Sequence, residues 1–161
     1  MTGDDFRQLY DYHFKFNRLI WDHSVAALSD EQLMRDLGYS HGSLHSQIVH
    51  LMSIDERWFS GLRGVDVPDF LDSADFPDRP SIRAKWDMIE ADMRGYLTML
   101  TDTQVSQPFN EMKVWQVLFH VLNHGTDHRA QMLSMLSQLG APTFPQDFVF
   151  YVWGVDVTKP R

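Results

Sequence analysis

The stretch "FHVLNHGTDHRAQM", residues 119–132, carries His120, His124 and His128 at intervals of four. Four residues turn an α-helix by about 400°, so successive imidazoles stand only about 40° apart and share one face. Neutral imidazole is a common protein ligand for divalent metals. His124-x-x-x-His128 has the spacing of helical zinc sites. The full H-E-x-x-H motif is absent, because residue 125 is Gly and no general base lies between the pair. Both histidines fall on or beside an apolar stripe formed by Val114, Leu118, Val121, Met132, Met135 and Leu139. An unpaired imidazole is costly there, so each must find a partner, either a metal or an ordinary core hydrogen bond. A third histidine, His50, is available from another long segment.

Two other patterns promise less. "GYSHG", residues 38–42, matches G-x-S-x-G, but a nucleophile elbow needs a strand before it and a helix after it on a large parallel sheet. A helical pattern precedes it here, so Ser40 is read as part of a loop and helix cap. Asp55 and Glu56 are neighbours on a helix and diverge by about 100°. They are read as salt-bridge residues on a helix surface, not as a converging acid–base pair. The Glu-x-x-His ligand motifs of di-iron bundles are missing from the helices.

The elements that must position these residues follow from hydrophobic spacing. Helices are predicted near 5–28, 43–62, 81–101 and 113–139. Thr2 can cap the first with Asp5, and Gly140 followed by Pro142 closes the last. The first stripe includes Phe6, Tyr10, His13 and Ile20, and also Asn17, whose ordinary reading is a hydrogen-bonded core amide. On the second helix His45 points about 140° away from His50, so the two cannot serve one site. "SDEQLMRDLG" predicts a short connecting helix capped by Ser29 and ended by Gly38. Residues 64–80 hold three prolines and five aspartates with no period, which predicts a long loop, a lid or a pocket wall. The tail "FPQDFVFYVWG" is apolar and is left open between helix and strand. The expected architecture is all-α: one domain over 1–161, a four-helix bundle with a long 64–80 connection and a short C-terminal element.

The charge balance narrows the partners. The formal net charge is −8 with no run of Lys or Arg, which argues against nucleic acid and anionic membrane surfaces; the expected partner is a small-molecule substrate. There is no cysteine, so disulfides, thiolate metal sites and a cysteine nucleophile are excluded, and any thiol chemistry needs an external thiol. No apolar run approaches about 18 residues and the first residues are charged throughout, so a cytoplasmic location is expected.

"LFHVLNHGTDHRAQM" and "HGSLHSQIVHLMSIDERWF" resemble the helix-four and helix-two regions of the DinB/YfiT-like superfamily, bacterial four-helix bundles regarded as metalloenzymes. Asn17 and the late "PQDF" fit the same resemblance, which spans essentially the whole chain. Where that superfamily has His-Arg-Gly-Gln after its last ligand, this chain has His128-Arg129-Ala130-Gln131. The resemblance implies metal ligands at His50, His124 and His128, with His120 and Asn17 as supporting or pocket residues. It implies a divalent ion, zinc or nickel before others, and an enzyme that uses a low-molecular-weight thiol for S-transfer or isomerisation. A metal-dependent hydrolase and a non-catalytic metal- or ligand-binding protein are the alternatives. A homodimer is implied as well, in keeping with five tryptophans that one small core need not absorb. No particular catalytic residue, metal or substrate is assigned.

Overall fold

The fold was analysed in a computed structural model that describes residues 1–159; residues 160–161, the end of the expected domain, lie outside the described residues. The first helix, α1 (Gly3–Leu19), starts in a reciprocal cap: the Thr2 side chain accepts from the Asp5 amide, and Asp5 accepts from the Thr2 amide. Phe6, Tyr10, His13, Phe14, Phe16 and Asn17 are buried along it. The expected continuation to residue 28 does not stay α-helical. A π-helical turn, Ile20–Ser24, and a 3-10 turn, Val25–Ala27, follow. The wider turn adds a residue to the register, so that Ile20, Ser24 and Val25 are all buried.

Helix α2 (Asp30–Met34) uses the Ser29–Gln32 capping box but ends before the expected Gly38. Arg35 is already extended, and Gly38 (φ +65°) lies instead in the turn that follows, with Ser40 (φ +52°) and Gly42 (φ +83°). The three remaining long helices are α3 (Leu44–Arg63), α4 (Arg79–Met99) and α6 (Val114–Gln138). Between the last two stand α5 (Asp102–Val105) and a two-residue hairpin, β1 (Pro108–Phe109) with β2 (Met112–Lys113), turning at Asn110 (φ +51°). The all-α expectation did not include that hairpin, because two residues per strand show no alternation to read. The undecided tail forms α7 (Phe148–Val152), whose Phe148 packs edge-on against Tyr12.

The principal packed pairs are α1 with α4, α4 with α3, α3 with α6 and α6 with α1. The chain therefore crosses the bundle diagonally twice, from α1 to α3 and from α4 to α6. Only α3 and α4 are both consecutive long helices and direct neighbours, and residues 64–78 join them. The loop is anchored throughout. The Ser53 hydroxyl accepts from the Leu71 amide, the Arg57 guanidinium lies 3.9 Å from the Phe70 ring centroid and donates to the Pro68 carbonyl, and His45 Nε2 lies 2.7 Å from the Phe76 carbonyl oxygen. These contacts hold it against α3 as a pocket wall.

One contact sets how closely α1 and α6 can approach. A Cβ added at Gly125 would stand 2.3 Å from His13 Cε1, so the ring occupies the space a side chain would need. Gly125→Ala is expected to destabilise the protein by about 1–3 kcal/mol through overpacking. Chemical denaturation compared with the parent checks this; an unchanged midpoint would show that the two helices separate freely.

Candidate metal centre

The α3–α6 seam brings together the histidines that the sequence keeps far apart. His50 Nε2 and His124 Nε2 face one another at 3.3 Å. The His124 and His128 rings, one turn apart on α6, have centroids 4.1 Å apart, and the His50 and His128 centroids are 4.8 Å apart. A fourth ring joins them. His41, from the turn before α3, stacks on His50 at 3.9 Å with planes 23° apart. The ligand nitrogens of His41, His50 and His128 all lie within 4.8 Å of one another. Two imidazole nitrogens on a tetrahedral ion at about 2.0–2.1 Å stand about 3.3 Å apart, the separation of the His50 and His124 nitrogens. His41, His50 and His128 together could hold a divalent ion, and His124 lies outside that three-nitrogen group, beside His50.

Burial pushes His50 down to about 4 and His124 down to about 3, and neighbouring histidines add to the effect in both. His128 is lowered too, first by burial and then by His41, against the raising influence of Asp127 and Asp55. All three rings are therefore neutral at pH 7, the form in which a ring nitrogen can ligate. His124 Nδ1 is buried with no hydrogen-bond partner among the described residues. His128 is held more firmly: its Nδ1 lies 2.6 Å from Gln47 Nε2, which also donates to Gln131 Oε1 at 2.9 Å. With the Gln47 amide donating to Nδ1 the ring proton sits on Nε2; with the carboxamide turned over, Nδ1–H would donate to the Gln47 oxygen and leave the Nε2 lone pair free.

The other expected residues take different places. His120 is exposed, T-stacked on Trp58, with its centroid 6.2 Å from that of His124; it stands at the rim of the cluster. Asn17 is buried, and its side-chain oxygen accepts from Arg129. His45 points away from His50, towards Phe76.

Behind the cluster runs a charged network. Arg129 is fully buried and donates from Nη1 to His13 Nδ1 (2.9 Å) and Asn17 Oδ1 (3.2 Å), from Nε to Gln146 Oε1 (2.9 Å) and from Nη2 to the Thr126 hydroxyl (3.0 Å). A guanidinium only donates, so His13 Nδ1 accepts and the ring proton sits on Nε2, 3.3 Å from Asp55 Oδ2. Asp55 is thus not the surface residue expected from its neighbour Glu56. It is 1% exposed, because the 100° between them turns Glu56 to Lys85 (2.6 Å) and Asp55 into the bundle.

The 64–78 wall and α3 enclose a cavity of about 550 Å³ that opens beside His41 and His50, with Ser46, Ser53 and Asp72 on its polar side and Phe70 on the other. Its lining includes one carboxylate and no cationic side chain.

A four-helix bundle with a histidine cluster at the seam of two long helices, open to a polar cavity, defines a class of candidate metal-binding bundles. The chain belongs to the DinB family, whose sequence profile matches residues 1–159. It is 24% identical over 166 aligned positions to the protein named Protein DinB of Bacillus subtilis (strain 168), covering 94% of this chain and 96% of that one.

Sequence spacing did not point to His41. It stands in a turn nine residues before His50, and only the chain reversal at Gly42 brings it back. Gln47 did carry a signal, since it precedes His50 by three and shares its face.

The depressed His50 and His124 values set a pH dependence for the metal-free protein. An unfolded histidine takes up a proton near 6.5, whereas these two resist until about 4 and about 3. The unfolded state binds more protons in that window, so stability is lost as pH falls from about 6.5 towards 4. Thermal melts of the metal-free parent should show this fall, and His124→Gln should flatten it; parallel profiles for parent and variant would sink the assignment.

Proposed function

We propose that this protein is a divalent-metal-dependent enzyme in which His50, His124 and His128 hold the ion and a low-molecular-weight thiol takes part in an S-transfer or isomerisation reaction. The observation that supports the reading is the grouping of His50 with His124 and His128 at the α3–α6 seam, with His50 bordering a cavity of about 550 Å³. Three protein ligands leave coordination positions for a reactant, as catalytic sites do and closed structural sites do not. The ion, zinc or nickel, would act as a Lewis acid and lower the pKa of a thiol or water that reaches it. The chain's own residues orient the ligands through Gln47, keep them neutral by burial and shape the cavity with Phe70 and the serines. With no cysteine in the sequence, the thiol must arrive as a cosubstrate.

The test is titration of metal-free, untagged protein with zinc and nickel. His50→Ala, His124→Ala and His128→Ala are each expected to lose most of the affinity, and with it the metal-dependent part of thermal stability. His120→Ala should lose less, and His45→Ala should stay near the parent. A His50→Ala variant that binds like the parent would break the proposed set. A screen of the loaded protein with several low-molecular-weight thiols and electrophiles then separates thiol transfer from hydrolysis, which would proceed without the thiol.

We further propose that two copies associate through the α6 face bearing Trp115 and Phe119, which are 38% and 49% exposed beside Val105 and Met1. Phe119 also borders the hollow lined by Leu9, Leu122 and Phe148, so the exposed apolar area is continuous. Sedimentation at micromolar concentration should give twice the 18.8 kDa chain mass, reduced to one by Phe119→Glu. A parent that runs only at 18.8 kDa would exclude the dimer.

A further inference from the structure

We propose that His41 is a fourth, displaceable metal ligand that closes the coordination sphere at rest and gives up its position to an incoming reactant; this rests on the metal-binding reading above. Its ligand nitrogen already lies within 4.8 Å of those of both His50 and His128. The four rings come from three places: α3, α6 and the turn at 38–42.

That turn is built to aim the ring. The Gly42 amide donates to the Tyr39 carbonyl and the Leu37 amide to the Gly42 carbonyl, both at 2.9 Å, closing a tight reversal. Ser40, at its tip, has φ +52°, a conformation that side-chain-bearing residues rarely adopt and that the surroundings must hold in place. The hold is visible: the Ser40 hydroxyl donates to Gln47 Oε1 at 3.1 Å, and the amide of the same Gln47 lies 2.6 Å from His128 Nδ1. One turn therefore reaches the cluster by two routes, through His41 stacked on His50 and through Ser40 to the residue that orients His128.

Exposure separates His41 from the other three rings. His128 is buried and His50 and His124 are half-buried, so moving any of them would disturb packed helices. His41 is exposed on a short turn and can leave without opening the core. It also borders the cavity beside His50, so the position it vacates faces the space a substrate would enter. Four imidazoles make a closed set and three make an open one. Departure of this ring would convert the first into the second, and return of the ring would expel product.

The experiment is titration of the metal-free full chain with cobalt(II), read by visible absorption, for the parent, His41→Ala, His41→Phe and His50→Ala. His41→Phe keeps an aromatic ring for the stack and removes the ligand nitrogen. Both His41 variants are expected to bind cobalt more weakly and with shifted visible bands. Added free imidazole should return the His41→Ala spectrum to that of the parent and leave the parent unchanged. If His41→Phe keeps the parent's affinity and bands while His50→Ala loses both, His41 only stacks and this inference falls alone. If His50→Ala also binds like the parent, the metal-binding reading falls with it. Apo-protein melts serve as the folding control.

Discussion

Everything at the candidate centre leans on the buried relay from Arg129 through His13 to Asp55. It ties α6, α1 and α3 together at one level of the bundle, and α6 and α3 are the helices that carry His124, His128 and His50. Neither end of the relay can be spared. Arg129 is fully buried and, among the described residues, touches no carboxylate directly; Asp55 is 1% exposed with one oxygen lacking any hydrogen-bond partner among those residues. Removing either would leave a charge uncompensated in the core, a change that typically costs about 3–5 kcal/mol. Replacing the whole set with apolar side chains could be less costly than breaking it, so stability alone does not account for its presence. Its geometric consequence is specific: Arg129 follows His128 directly, so the contact that fixes Arg129 also fixes the rotation of α6 that turns His124 and His128 to His50.

The same relay explains the glycine between the two α6 histidines. Had residue 125 been the glutamate of an H-E-x-x-H site, its side chain would project into the volume filled by His13. The bundle therefore has an imidazole packed behind α6 where a helical metalloprotease has its general base. Any base or nucleophile must come from the cavity side, where the lining offers serines, one aspartate and His41.

The fold was largely legible because each long helix writes a 3.6-residue stripe. The deviations arise where local rules compete: the π turn after Leu19 preserves a buried stripe that an unbroken α-helix would rotate away, and Gly38 serves the 38–42 reversal instead of capping α2. That His50, His124 and His128 would lie near one another was legible because two share a helix face and the resemblance names the third, but the three ligand nitrogens within 4.8 Å of one another are those of His41, His50 and His128. His41 and Asp55 were not. His41 depends on a chain reversal, which spacing along one element cannot report. Asp55, beside Glu56, has the pattern of half a surface pair, and only the tertiary structure, with His13 of α1 reaching it across the bundle interior, shows which of two adjacent carboxylates is turned inward. Asn17 stood out as polar on an apolar stripe, and the cause is Arg129, a charge that no pattern within α1 could disclose.

A metal-free cluster of this kind is a standing cost to the fold. Burial and mutual repulsion oppose protonation of His50 and His124, and His124 Nδ1 goes without a partner among the described residues. An ion that takes the lone pairs of these rings replaces weak contacts between like groups with strong ones, and polarises the remaining ring N–H groups towards their neighbours. The network behind α6 holds the rings close enough for that exchange to need little rearrangement, while the exposed turn in front leaves one direction open. The relay thus fixes the rings from behind, and the 38–42 turn borders the cavity in front of them.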